Sequence, residues 1–311
     1  MDSRLPSPQT SRRTVLTAGA VLAAGAVVGP AAARTAPITT PSASPGNDAI
    51  AEIEQRHDRR IGLYAVNLRT GRELAHRPDE RFAMCSTFKT LAVAAVLAGR
   101  LVTPDPHVLG RRAYYPPSMV TGVGYAARMQ VWQEQGYAPT VAEVCEAAQS
   151  DSDNAAANWL LQQLGGPDAI TRLARELGDS VTTLTRWEPE LNAWEPGQQI
   201  DTTTPRAMGG SYVELLLGRT LDGPDRRRLT RWMLASRTGG AALRAGLPAG
   251  WRIAEKTGSG AYGTRNDVGI AWTDGDVPIL ISCLTRSTEP GAPTVDAPLA
   301  DVARHCAEVL A

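Results

Sequence analysis

The sequence predicts an α+β protein in which an antiparallel sheet flanked by helices is built from the two ends of the chain, with an all-α segment inserted between them. Three observations lead there. A strand–turn–strand pattern occupies residues 61–67 and 73–76, with Arg69-Thr70-Gly71-Arg72 as the turn. From Ser86 to about residue 232 the apolar spacing is predominantly helical. After Trp251 three strand-like runs return, and a helix closes the chain.

In order along the chain, residues 1–33 read as an export signal. Adjacent arginines, Arg12 and Arg13, precede an apolar run at 18–28, followed by Gly29-Pro30 and the small residues Ala31, Ala32 and Ala33. The run is too short to span a bilayer, and the arginine pair points to the twin-arginine route. A membrane anchor is the alternative reading. Residues 34–47, rich in Pro, Ser, Thr and Ala, read as a disordered leader. The remainder suffices for one large domain or two small ones sharing a core. The expected division is a sheet domain of 48–83 plus 233–311, and a helical domain of 84–232.

Asp48 is placed to cap a first helix running to about Arg60. Residues 81–84 lead into a helix headed by Ser86. Thr140 and Glu143 have capping-box spacing at the start of another. Further helices are predicted over 154–164, stopped by Gly165-Gly166-Pro167, and over 168–177, 205–217 and 225–234. Strands follow at 252–259, 266–272 and 278–284, then a helix over 298–310. No internal repeat is visible.

Composition narrows the function classes. The chain carries 32 basic and 32 acidic residues, and without residues 1–33 it keeps 29 and 31. That balance favours neither nucleic acid nor an anionic membrane as partner. Cys85, Cys145, Cys283 and Cys306 show no CxxC spacing, and His57, His76, His107 and His305 form no HxxxH pair. No metal site is expected.

Of the 32 basic residues only Lys89 and Lys256 are lysines. An arginine cannot release its proton near neutral pH, whereas a lysine ammonium can once its surroundings lower its pKa. Lys89 follows Ser86 by three residues, so on a helix the two share a face and form an activated nucleophile. Read alone, S-x-x-K is more often an N-cap serine and a solvated lysine. Three further stretches join it. Ser152-Asp153-Asn154 offers a hydroxyl, a carboxylate and an amide at a loop-to-helix junction, although capping chemistry alone would account for it. Lys256-Thr257-Gly258-Ser259 lies on a predicted strand, with both hydroxyls on one side and Gly258 leaving room for a ligand beside the backbone. Trp187-Glu188-Pro189-Glu190-Leu191-Asn192 lies between Arg186 and Asp201, whose charges suit an Ω-loop closed by an ion pair. Its plainer reading is a polar surface loop.

Together, S-x-x-K, S-D-N, E-x-x-x-N and K-T-G resemble the motifs of the class A serine β-lactamases, from about Ile50 to the C-terminus. The resemblance implies a β-lactamase/transpeptidase-like fold, a small-molecule β-lactam substrate and no cofactor. It makes Ser86 the nucleophile, Lys89 the amine that helps deprotonate it, and Ser152 the proton donor to the leaving nitrogen. Glu188 would activate the deacylating water, with Asn192 as partner. Asn154 would hold the substrate's acylamide group, and Lys256, Thr257, Ser259 and Arg265 its carboxylate. The backbone N–H groups of Ser86 and Ser259 would form the oxyanion hole, and Asn158 would tether the Ω-loop. The expected protein is a secreted or periplasmic monomer with no stable membrane association after cleavage.

The sequence departs from that pattern in places. Val93 stands where many members pair a cysteine with the position of Cys145. Gly260 stands where some members pair a cysteine with the position of Cys85, so neither disulfide is expected. The segment 114–137 is longer than usual and should contain the aromatic that walls the cleft, with Tyr125 as candidate. Ala242 occupies the alternative position for the carboxylate-binding arginine. A D,D-peptidase shares the Ser–Lys and K-T-G words but normally lacks the Glu188 loop. A penicillin-binding sensor lacks it too and typically carries a transmembrane helix. A Ser-His-Asp hydrolase would need a G-x-S-x-G elbow, which is absent.

Overall fold

The computed structural model describes residues 45–311. The expected export signal, and all of the expected leader except residues 45–47, lie outside them. Those three residues are helical: α1 spans Pro45–His57, with Asp48 inside its first turn rather than at its cap. Proline suits a first helical turn because its missing N–H has no partner to lose there, so the helix starts earlier than the cap pattern suggests.

β1 (Arg60–Asn67) and β2 (Glu73–His76) form the predicted hairpin. β3 (Phe82–Ala83) leads to a single 3₁₀ turn, Cys85–Phe88, and then α2 (Lys89–Leu97), all of it buried. α3 (Ala127–Glu134) was not legible in the sequence because only Met129 of its residues is buried. Its start is held by Asp153 Oδ2, which accepts from the Arg128 and Met129 N–H groups at 2.9 Å each. α4 (Val141–Glu146) opens with the Thr140–Glu143 capping box and runs into one π turn, Ala147–Asp151. α5 (Asn154–Gln163) is capped by Asp153, and α6 (Asp168–Glu176) follows.

β4 (Thr202–Thr203) pairs with β3 in a short antiparallel ribbon. α7 (Pro205–Leu217), α8 (Gly223–Leu234) and the one-turn α9 (Leu243–Gly246) lead to β5 (Arg252–Gly260). β6 (Thr264–Trp272), β7 (Pro278–Arg286) and α10 (Ala297–Leu310) complete the chain.

The main sheet is antiparallel throughout, in the order β2-β1-β7-β6-β5. One face packs Ile61, Leu63, Ile253, Ile281 and Cys283 against α1, α9 and α10 through Ile50, Leu243, Leu299 and Val302. The other face lies under α7 and joins the larger core around the fully buried α2. β5 is therefore an edge strand of the sheet that runs beside the 3₁₀ turn at Ser86. That juxtaposition builds the site.

Candidate active site

Ser86 sits on the 3₁₀ turn, not on the α-helix proper. The turn is entered through Cys85 at φ 45°, a left-handed conformation that costs a non-glycine residue of order 1 kcal/mol or more. Several contacts over-determine it. Thr87 donates its N–H and its Oγ1 hydrogen to Met84 O, at 3.2 and 2.7 Å. Tyr212 Oη donates to Thr87 O at 2.9 Å, and Asn266 Nδ2 donates to Ala83 O at 2.8 Å. Gly258 completes the clamp from β5. A Cβ there would lie 2.9 Å from Met84 O and 3.3 Å from Ser86 N. Gly258 thus makes room for the backbone at Ser86, and it also lines the cleft, where a ligand can approach it closely.

Ser86 and Lys89 meet through a third residue. Ser86 Oγ donates to Glu188 Oε1 at 3.3 Å, and Lys89 Nζ lies 3.0 Å from that same oxygen. Lys89 also donates to Ser152 O at 2.8 Å and Asn154 Oδ1 at 2.6 Å. The other oxygen of Glu188 accepts from Asn192 Nδ2 at 2.5 Å. The Lys89 and Glu188 side chains are fully buried.

The loop that delivers Glu188 is closed twice. Arg186 Nε donates to Asp201 Oδ2 at 2.5 Å, while Asp201 Oδ1 accepts from the N–H groups of Thr185 and Arg186 at 2.6 and 3.1 Å. Asn158 clasps the backbone of Glu188 from α5, donating to its O at 2.9 Å and accepting from its N–H at 3.0 Å. The Glu188–Pro189 peptide is cis.

Ser152 ends the π turn in a left-handed conformation, φ 61°, and stands between the two lysines. Its carbonyl takes Lys89, and its Oγ accepts from Lys256 Nζ at 2.9 Å. Lys256 is fully buried and donates also to Thr257 O. Burial pulls its proton affinity well below that of an ordinary lysine, and the nearby Lys89 and Arg265 charges add to the effect. Arg265 faces Ser259 across the β5–β6 pair and donates to its Oγ at 3.0 Å. It also donates to Thr238 O at 2.9 Å and pairs with Asp296 Oδ1 at 2.6 Å.

These groups surround one cleft of about 440 Å³, lined by Ser86, Tyr125, Ser152, Asn154, Asn192, Thr238, Thr257, Gly258, Ser259 and Arg265. Lys89, Glu188 and Lys256 lie buried behind its wall. The β-lactamase enzyme family model matches residues 46–310. A β-lactamase of Streptomyces fradiae is 48% identical over 297 residues, covering 94% of this chain and 96% of the relative. The chain belongs to the class A β-lactamases.

Structures of the family agree. The Streptomyces albus G β-lactamase superposes with a TM-score of 0.83 at 46% identity, over 86% of this chain and all of that one. A class A β-lactamase from Clostridium kluyveri gives 0.79 at 35% identity, over 84% and 97%. A class A β-lactamase hydrolyses the cyclic amide of a β-lactam through a serine. Of the serines lining the cleft, Ser86 is the one whose hydroxyl contacts the buried Lys89–Glu188 pair.

The structure brings Ser86, Lys89, Ser152, Asn154, Glu188, Asn192, Lys256, Thr257, Ser259 and Arg265 around one cleft, with Arg186, Asp201 and Asn158 at the closure of the adjoining loop. Tyr125 is more than half exposed on the cleft wall, and its carbonyl accepts the Asn154 N–H at 2.8 Å. Asn154 lines the cleft with its amide partly engaged: Oδ1 takes Lys89, and Nδ2 donates one hydrogen to Val123 O at 2.7 Å. The four cysteines are free and buried, and burial holds the Cys85 thiol well above its usual range. Thr238, Tyr212 and Asn266 were missed. None belongs to a recognisable word, and only pairing across the sheet or contact with the 3₁₀ turn reveals them.

Proposed function

We propose that Ser86 attacks the β-lactam carbonyl and that Glu188 serves both halves of the reaction. The observation that carries this is the convergence of Ser86 Oγ and Lys89 Nζ on Glu188 Oε1. Ser152 O, Asn154 Oδ1 and Glu188 Oε1 together account for the three protons of an ammonium. In this arrangement Lys89 has no lone pair for the hydroxyl, and the carboxylate is the base in contact with it. Lys89 holds that carboxylate in place and offsets its charge.

Attack moves the Ser86 proton to Glu188 and places the new oxyanion between the Ser86 and Ser259 N–H groups. Such donors are worth about 10²–10³ in rate each. Ser152 Oγ accepts from Lys256, so its own hydrogen is free to go to the departing nitrogen while Lys256 replaces it. The proton taken by Glu188 returns to Lys256 before the second half, leaving a carboxylate again. Thr257, Ser259 and Arg265 grip the substrate carboxylate, with Lys256 behind them. Asn154 uses one amide hydrogen on Val123, and the second is free for the acylamide oxygen. In the second half a water takes the position of the hydroxyl, held by Glu188 and Asn192, and hydrolyses the ester.

Purified protein should turn over benzylpenicillin and a chromogenic cephalosporin continuously, and Ser86→Ala should do neither. A D,D-peptidase or a sensor would instead be trapped as a stable adduct in its wild-type form, so a stoichiometric adduct without turnover sinks this reading.

The enzyme is proposed to act as a monomer outside the cytoplasm, exported by a twin-arginine signal. This rests on Arg12-Arg13 and the apolar run at 18–28. Among the described residues no helix is long and apolar enough to cross a membrane. Replacing Arg12 and Arg13 by lysines should leave the precursor inside the cell, and unimpeded secretion of that variant would point to the general secretory route.

A further inference from the structure

Behind the carboxylate grip lies a second pair of acidic side chains that the mechanism does not use. In the β5–β6 register Ser259 faces Arg265, Thr257 faces Asp267 and Glu255 faces Gly269. Alternation along a strand therefore puts Glu255, Thr257, Ser259, Arg265 and Asp267 on one face of the sheet. The row begins in the cleft at Ser259 and Arg265 and ends inside the protein at Glu255 and Asp267, neither of which has any exposed surface.

Asp267 stands two residues from Gly269, the partner of Glu255, so the two buried carboxyls are diagonal neighbours on that face, close enough to act on each other. Asp267 Oδ2 accepts from the Leu243 N–H at 3.2 Å, and Arg244 Nη2 lies 2.6 Å from Glu255 Oε1. Among the described residues nothing donates to Glu255 Oε2 or Asp267 Oδ1. Two buried carboxylates in contact cannot both be ionised, and a proton between them supplies the missing donor.

The same pair abuts the segment that completes the grip. A Cβ on Gly239 would collide with Glu255 Oε1. Thr238, one residue earlier, shares a 2.6 Å hydrogen bond with Thr257 Oγ1, and its carbonyl takes Arg265. We propose that Glu255 and Asp267 share one proton at neutral pH and act as a positioning pair, setting the 236–244 segment against β5 so that Thr257, Ser259 and Arg265 meet the substrate carboxylate. This rests on the carboxylate-binding role given above to those three residues.

The charged and titratable groups around the pair are consistent with a single negative charge. Arg244 contacts Glu255, Arg265 lies further along the row, and Lys256 projects from the opposite face. Cys283 stands opposite Asp267 on β7, and Tyr212 of α7 lies beyond the other face of the sheet. Burial raises both of these last groups, which stay neutral. Burial also lifts both carboxyls above the ordinary range, and Asp267's charge lifts Glu255 further. The native state thus holds a proton that the unfolded chain releases, so this contribution is complete below the ordinary carboxylate range and is lost as pH rises toward the native values.

Glu255→Gln supplies the same hydrogen without titrating, whereas Glu255→Ala supplies none. Infrared spectra of the wild type should contain the carbonyl stretch of a buried carboxylic acid, and that band should be missing from Glu255→Gln. Between about pH 5 and pH 9 the Tm of Glu255→Gln should gain steadily on the wild type. At neutral pH Glu255→Gln should keep the wild-type KM for benzylpenicillin, and Glu255→Ala should raise it about tenfold with a smaller change in kcat. Absence of the acid band, or Tm curves that run parallel across pH, overturns the shared proton. An unchanged KM in Glu255→Ala overturns the positioning role. Should Glu255→Gln fail to fold, Asp267→Asn takes its place in the same three measurements, with the same results expected and the same results overturning the pair. The infrared and Tm measurements need no substrate, so they judge the pair even if the wild type proves inactive on penicillin.

Discussion

Lys89 and Lys256 are both fully buried behind the cleft wall, yet their surroundings are opposite. At the head of α2, Lys89 Nζ faces the Glu188 carboxylate at 3.0 Å, and two neutral acceptors complete its shell. On β5, Lys256 has only neutral acceptors, Ser152 Oγ and Thr257 O. Burial above all, with repulsion from Lys89 and Arg265 that Asp267 and Glu188 only partly offset, leaves its proton weakly held. Burying a charge is costly unless an opposite charge or good hydrogen bonds accompany it. The helix side holds a carboxylate against its amine, whereas no carboxylate touches Lys256 Nζ, and a substrate carboxylate would supply that contact. Under the proposed mechanism the first side would serve chemistry and the second binding.

Removing the balancing charge should have the largest effect. In Glu188→Ala the amine of Lys89 loses its anionic partner and becomes available to Ser86, so acylation continues. Deacylation loses its only positioned carboxylate, which typically costs about 10²–10⁴ in rate. With benzylpenicillin the variant should release a burst of about one equivalent and then nearly stop. Mass spectrometry should locate the intact drug on the peptide containing Ser86. Wild-type turnover in this variant would refute the assignment.

Loosening the loop that delivers the carboxylate should cost somewhat less. Asp201 is fully buried and holds Arg186 and two backbone N–H groups, while a quarter of the Arg186 side chain is exposed. Breaking such a pair costs up to about 3 kcal/mol after discounting for solvent. Asp201→Asn should therefore lower both Tm and penicillin turnover. A variant matching the wild type in both would place the closure elsewhere, with Asn158 as the remaining clasp.

On the binding side, Arg265→Ala should raise KM roughly tenfold, in line with about 1.5–3 kcal/mol for a hydrogen bond to a charged group. Its kcat should fall less, because the carboxylate is bound in ground and transition states alike. A loss confined to kcat would contradict the role. The smallest effect should be a pH dependence. Lys256 loses its charge as pH rises through its lowered pKa, so KM for a penicillin should climb over that window. The methyl ester of the same penicillin, lacking the anion, should show no such climb. Equal pH profiles for acid and ester would remove Lys256 from carboxylate binding.

Much of this was determined locally and could be read from the chain. Alternation and turn residues marked β1, β2, β5, β6 and β7, and helical spacing with stop signals marked α5, α6, α7 and α8, because both depend on near neighbours. The words around Ser86, Ser152, Glu188 and Lys256 named the chemistry, and Arg186 and Asp201 bracketed the loop. Other features needed the folded chain. The start of α3 depends on Asp153, 25 residues from Arg128, and β3 finds its partner in β4 more than a hundred residues later. Gly258 gives way to the Ser86 backbone, and Asn266 holds Ala83 across 183 residues. Glu255 and Asp267 are ordinary acids in the sequence, and only strand register and burial place them in contact. Residue types and spacings decide which elements form. The charge each buried group can keep depends on what the tertiary fold puts beside it, because electrostatic cost is set by surroundings that come from distant parts of the chain.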